Sequence, residues 1–261
     1  MKEKGKLKVT ILGSGTSQGI PVIACDCEVC QSSDVKDNRL RCSIMLTING
    51  LNYVIDTGPD FRQQMLREKV QSLESIIFTH EHKDHLAGLD DVRAFNFKQK
   101  KDMLVYCNQA VEDALRREFY YVFNGNDYPG IPKLELERIS KEIPFQIADG
   151  VEVIPVEVMH YKLPVLGFRI DNFAYITDAK TVSEEEKTKL KNVEVLIVNA
   201  LRREEHISHF NLNQALAFIK EVNPKKAYLT HISHAFGTHE SILKELPMNV
   251  SVAFDGMQIE L

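Results

Sequence analysis

Short apolar runs, rather than long amphipathic stretches, open the chain. Residues 8–12 read as a buried strand, ended by the small-residue loop Gly13-Ser14-Gly15-Thr16-Ser17-Gln18-Gly19. Residues 43–48 and 51–55 are apolar-rich, and the Asn49-Gly50 pair between them is the signal of a two-residue type I′ hairpin. A helix is predicted over 60–70, and the β-branched run 75–79 should enter the core as a strand. A helix at about 108–119 precedes a loop holding Gly125, Pro129, Gly130 and Pro132. Strands are then expected at 151–158, 167–170, 173–177 and 193–198. Helix 212–222 leads to strand 226–230, and a helix near 240–246 and a strand near 250–254 close the pattern. Hairpins first and alternating strands and helices later, in both halves, predict an α+β fold of two mixed β-sheets packed face to face with helices outside.

Composition narrows the class. With 261 residues, no internal repeat and no shift in composition that would mark a linker, the expectation is a single domain over 1–261. Apolar residues at 44% and charged residues at 26% exclude a disordered or collagen-like chain. The 32 Lys and Arg against 37 Asp and Glu leave a net charge of −5, so no general basic surface for coating nucleic acid is present. No stretch has the length of a membrane span, and the apolar run at 9–12 is too short for the core of a signal peptide. The expected location is the cytoplasm, where the 5 cysteines would be reduced and available to metal.

The densest chemical signal is Thr79-His80-Glu81-His82-Lys83-Asp84-His85, directly after the strand at 75–79. Imidazoles and a carboxylate at a rigid strand end suit Zn, Mn or Fe. Two metals about 3.5–4 Å apart need more donors than one loop presents. The same context, a strand handing over to a loop, recurs at His160, Asp178 and His231. A second cluster, Cys25-Asp26-Cys27-Glu28-Val29-Cys30, offers three thiolates where tetrahedral zinc takes four donors. A redox pair of Cys27 with Cys30 is the competing reading. Asp56 either orients a ligand or caps the helix that starts near Asp60. His206 and His239 read as surface histidines, and Cys42 and Cys107 as small buried apolar residues; Arg39, Arg41, Arg202 and Arg203 could contact a second phosphate, with surface solubility the favoured role for each.

The run His80–His85 resembles the H-x-H-x-D-H signature of the metallo-β-lactamase superfamily. That resemblance implies an αβ/βα sandwich with a dinuclear site. His80, His82 and His160 would hold one divalent metal (Zn or Mn), Asp84, His85 and His231 the other, and Asp178 would bridge them. The cysteine cluster, together with Gly15-Thr16-Ser17-Gln18-Gly19-Ile20-Pro21, is similar to the cyclic phosphodiesterases of phosphonate breakdown. In that group a histidine three residues past the last active-site histidine completes a structural zinc, here His234 with Cys25, Cys27 and Cys30, in an N-terminal loop at about 15–42. His209 matches the family's catalytic histidine, a general acid working with a metal-bridging hydroxide, and Asp84 belongs to the catalytic set. A small phosphodiester, cyclic or linear, is the implied substrate, nucleic acid and membrane are not expected as partners, and a homodimer is. The alternatives are a tRNA 3′-end endonuclease, or a non-hydrolytic protein of cofactor biosynthesis or metal binding with the same fold.

Overall fold

The computed structural model describes residues 7–125, 128–148 and 150–261. In chain order the strands are β1 (Leu7–Gly13), β2 (Ser43–Ile48), β3 (Leu51–Ile55), β4 (Ser75–Ile77), β5 (Met103–Cys107), β6 (Leu134–Arg138), β7 (Phe145–Ala148), β8 (Val151–His160), β9 (Leu163–Ile170), β10 (Phe173–Ile176), β11 (Val195–Asn199), β12 (Lys226–Thr230), β13 (Val250–Val252) and β14 (Gln258–Glu260). The chain divides into two compact units interleaved in sequence. Unit 1 comprises residues 7–12, Ser43–Ile139 and Gly256–Leu261; unit 2 comprises Gly13–Cys42 and Ser140–Asp255.

Unit 1 is built on a mixed sheet in the order β14-β1-β2-β3-β4-β5-β6. The β2–β3 hairpin pairs Ile48 with Leu51, and Asn49 and Gly50 take positive φ values of 53° and 80°, the type I′ geometry the sequence predicts. From β3 to β6 neighbouring strands run parallel. Val54, Ile55, Ile76 and Ile77 are all shielded from solvent, which explains why these strands read as continuous apolar runs rather than alternating ones. The helices are α1 (Phe61–Arg67), α2 (Lys83–Leu86), α3 (Arg93–Gln99), α4 (Gln109–Glu118) and α5 (Tyr120–Phe123). Phe61, Met65, Phe95, Val111 and Leu115 of these helices pack with Val54, Ile76 and Val105 of the strands. Strands β5 and β6 and helix α3 lie outside the sequence expectations. β6 carries exposed Glu135 and Glu137 at the sheet edge, so its apolar signal is weak.

Unit 2 repeats the plan with a sheet in the order β13-β12-β11-β10-β9-β8-β7. β7 to β10 run antiparallel and β10 to β13 parallel. Helices α6 (Glu184–Thr188), α7 (Leu212–Val222) and α8 (His239–Leu243) belong to it. The apolar face of α7, formed by Leu212, Ala215, Phe218 and Ile219, packs with Leu196, Val198 and Leu229 of the strands. Asn211 and Gln214 close a reciprocal capping box at its start, and Asn223 ends it in the left-handed conformation. At Gly167 in β9 an added Cβ would lie 2.4 Å from Ile176 Cδ1, so only glycine permits that approach to β10. Among the described residues no helix is long and apolar enough to cross a membrane.

Candidate metal centre

In unit 1 the ligand run leaves the carboxyl end of β4, where open parallel sheets characteristically present their ligands. His80 and His85 are buried, and His82 is half-buried at the N-terminus of α2. His80 Nε2 lies 3.0 Å from His82 Nδ1, and the His80 ring centroid is 4.6 Å from that of His82 and 4.3 Å from that of His85. Asp84 Oδ2 is 3.3 Å from His85 Nε2. Asp56 settles its own role. Its carboxylate accepts from the Thr79 backbone N–H at 2.9 Å, the Thr79 hydroxyl at 2.8 Å and His85 Nδ1 at 2.7 Å, whereas α1 has no side-chain cap from Asp60. Burial pushes the Asp56 carboxyl upward, and His85 and Thr79 oppose that push. With its Nδ1–H donated to Asp56, the His85 ring is fixed as the tautomer whose Nε2 bears the lone pair a metal takes.

Backbone contacts hold this arm rigid. Thr57 N–H donates to the His85 carbonyl at 2.7 Å and Gly88 N–H to the Thr57 carbonyl at 2.8 Å. A Cβ at Gly88 would sit 2.2 Å from the Gly58 carbonyl oxygen, so glycine permits the loop after β3 to lie directly on α2.

Unit 2 gathers His160, Asp178, His209 and His231. Asp178 and His231 follow the carboxyl ends of β10 and β12 with positive φ values of 58° and 56°. Such left-handed conformations at non-glycine residues concentrate at functional sites. Asp178 Oδ1 accepts from the Thr177 hydroxyl at 2.5 Å and lies 3.2 Å from His231 Nδ1. His160 Nδ1 donates to the Ser208 carbonyl at 2.9 Å, which fixes its tautomer as Asp56 does for His85. Potential ligand atoms of His160, Asp178 and His209 lie within 4.8 Å of one another. The His209 ring stacks on His231 at 4.9 Å and tilts against His160 at 4.4 Å, two residues before the capping box of α7. Burial pushes the His209 imidazole down to about 3, with Asp178 opposing. Its Nδ1 is shut from solvent and lacks a hydrogen-bond partner among the described residues.

The cysteine loop and His234 also meet within unit 2. His234 Nδ1 lies 3.2, 3.5 and 3.6 Å from the sulfurs of Cys25, Cys27 and Cys30, and the four donor atoms are all within 4.8 Å of one another. Three thiols converging on one imidazole nitrogen fit a tetrahedral cation and leave the two-cysteine redox pair no distinct geometry. The Cys30 backbone N–H is the main influence holding Cys27 down at about 6, while burial pushes Cys30 up to about 11.

Three sequence expectations need correction. His239 is 4% exposed and Arg39 2%, so neither is a surface residue. The Arg39 guanidinium donates to Ser14 Oγ at 2.9 Å and the Ala253 carbonyl at 2.5 Å, and contacts His239 Nδ1 at 3.3 Å. Asp255 accepts from Ser14 N–H and Leu40 N–H, so the buried Arg39 cation and the half-buried Asp255 carboxylate anchor both ends of the cysteine loop. His206, also read as a surface histidine, is half-buried with its ring 5.2 Å from His209. Thr16 was not foreseen in any role, and its hydroxyl lies 3.1 Å from His231 Nε2. Cys42 and Cys107 are buried as expected.

Residues 51–232, more than half of the chain, match the family described as a β-lactamase superfamily domain. The chain belongs to the metallo-β-lactamase superfamily. Within this superfamily, the solved structure of a new diphosphatase from the PhnP family is 36% identical, superposes with a TM-score of 0.91, and is covered over 97% of its length by 98% of this chain. An octanoyltransferase of Porphyromonas gingivalis is 40% identical over 254 residues, covering 97% of this chain and 51% of that protein. Coenzyme PQQ synthesis protein B of Bradyrhizobium diazoefficiens is 26% identical over 167 residues, covering 58% of this chain and 52% of that protein. The chain thus spans about half the length of these curated relatives.

Proposed function

We propose that the chain is a metal-dependent phosphodiesterase acting on a small phosphodiester, cyclic or linear. His80, His82, Asp84, His85, His160, Asp178 and His231 would hold two divalent cations, Zn or Mn, and Cys25, Cys27, Cys30 and His234 a structural zinc. The donor sets fit such cations: imidazoles and carboxylates in one case, three thiols and an imidazole in the other, with His85 and His160 each oriented through Nδ1. When bound, the two cations would supply Lewis-acid stabilisation of phosphoryl charge and a nucleophile at neutral pH.

The chain's own contribution is to orient and to move a proton. Departure of an alkoxide needs protonation, and His209 is the group assigned to it. The observation that carries this assignment is its buried ring packed against both His160 and His231, at the start of α7. A general acid must carry its proton when substrate is bound, and the charge of a phosphodiester anion beside the imidazole would favour that form. The reading follows these donor sets rather than the acyl-transfer name of the P. gingivalis relative, about half of whose length lies outside the match.

The test is hydrolysis of bis(p-nitrophenyl) phosphate and a 2′,3′-cyclic nucleotide by Mn- or Zn-loaded protein, with a pre-tRNA in parallel. His209→Ala should lower kcat by roughly 10²–10⁴-fold with metal content unchanged, and Asp178→Asn should lose both metal and turnover. Wild-type rates from the His209 variant would remove its role, and cleavage of the pre-tRNA alone would replace the small substrate with RNA.

A further inference from the structure

Imidazoles among the proposed metal ligands tend to have one ring nitrogen tied to a fixed protein group, which leaves the other for a cation. His85 Nδ1 is tied to Asp56, His160 Nδ1 to the Ser208 carbonyl and His80 Nδ1 to the Thr79 hydroxyl at 2.9 Å. His231 reverses the order of its two nitrogens. Its Nδ1 faces Asp178 Oδ1 at 3.2 Å, and its Nε2 lies 3.1 Å from the Thr16 hydroxyl, with all three side chains buried in unit 2.

Thr16 reaches that place on a backbone that is held independently of the histidine. Its N–H donates to the Ile232 carbonyl at 3.0 Å, and the Ile232 N–H donates to the Ser14 carbonyl at 3.0 Å, so the small-residue loop runs alongside residue 231. The Thr16 carbonyl accepts from Gly19 N–H at 2.8 Å, and Gly15 N–H donates to the Leu40 carbonyl at 2.8 Å. A Cβ at Gly15 would sit 2.8 Å from the Arg39 carbonyl oxygen, so glycine is needed for the loop to lie this close. A β-branched side chain on a fixed backbone has few χ1 choices, which aims the hydroxyl. His231 is set from its own side by a left-handed φ of 56°.

We infer that Thr16 is a positioning residue: its hydroxyl accepts the Nε2–H of His231 and so holds the tautomer whose Nδ1 lone pair faces the Asp178 carboxylate. The other tautomer would place an N–H between these two donors, and a protonated nitrogen cannot bind a cation. Thr16 has this role only if the dinuclear reading holds, and it gives the Gly15–Gly19 loop a purpose in that site: to choose which nitrogen of His231 is presented.

The test measures metal binding and the His231 tautomer rather than turnover. In calorimetric titration with Mn, Thr16→Val, which keeps the shape and removes the hydroxyl, should weaken binding by about 10–100-fold, the usual cost of losing a group that orients a ligand. Thr16→Ser should keep the wild-type affinity, as should Ser17→Ala at the exposed neighbouring hydroxyl. The urea midpoint without added Mn should be the same for Thr16→Val and wild type, which separates orientation from packing. Imidazole nitrogen NMR of the isotope-labelled, Zn-loaded full chain should show His231 protonated at Nε2 and metal-bound at Nδ1, with its signals assigned by their absence in His231→Gln. Wild-type Mn affinity in Thr16→Val, an equal loss in Thr16→Ser, or a protonated Nδ1 in the loaded wild type would overturn the role while leaving the dinuclear site intact. A wild-type chain that binds no cation beyond a thiol-held zinc would take down the dinuclear reading, and the role of Thr16 with it.

Discussion

His239 shows how one side chain couples stability to pH. Its ring is buried edge-on against Phe254, with Nδ1 facing the Arg39 guanidinium, and its backbone N–H donates to Asp37 at 2.6 Å. Burial first, and then the Arg39 and Lys36 charges, push its imidazole from 6.5 down to about 4. The folded value lies below the unfolded one, so as pH falls the unfolded chain takes the proton first. Stability is therefore intact above about pH 6.5 and declines toward pH 4, with a loss at pH 5 of about 2 kcal/mol from this group. His239→Gln should flatten the fall of the urea midpoint across that window. An unchanged slope in the variant would show that other groups carry the acid sensitivity. His80, His160 and His231 were legible as candidate donors because each follows a strand in a short, recognisable context. The burial of His239 was not, because its partner Arg39 lies 200 positions away.

At the level of elements, the strand ends do the positioning. Asn199, the last residue of β11, donates from Nδ2 to the Ala179 carbonyl at 3.0 Å and accepts from Ala179 N–H at 2.8 Å. Both bonds clamp the segment just past Asp178 at the end of neighbouring β10. Asn199→Leu would leave the Ala179 N–H without its partner, while the Ala179 carbonyl keeps the Phe210 N–H at 2.7 Å, a cost of about 1–3 kcal/mol that urea unfolding would measure. The same variant should weaken Mn or Zn binding by at least tenfold in calorimetric titration, because the turn carrying Asp178 loses its tie; wild-type affinity would deny Asn199 this positioning role. Most strands and helix α7 were readable, since apolar runs and the Asn49-Gly50 turn are local signals. β6 escaped because an edge strand with exposed glutamates has little apolar pattern to read.

For the whole molecule, metal is expected to act both as a structural tie and as a reagent, and the two roles should separate. Cys27→Ser combined with His234→Ala should cost one zinc per chain by elemental analysis. It should also lower Tm by roughly 5–15 °C, since a structural site contributes several kcal/mol to folding. Asp178→Asn should instead remove the hydrolytic metals and leave that zinc in place. Full zinc occupancy with an unchanged Tm in the double variant would exclude the structural role. Superfamily membership fits this division, because the family match spans 51–232 and the cysteine loop lies before it.

What the sequence determined by itself is the fold class, the strand-end donors and the thiol cluster. Each rests on a pattern within about a dozen residues, where apolar spacing and side-chain chemistry act locally. Only the tertiary structure decided that Asp56 orients His85 rather than caps a helix, that Arg39 is an internal cation, and that the His206 ring lies against His209. The physical reason is that burial and charge pairing depend on residues remote in the chain, and a polar side chain acquires its role from the partners folding brings to it.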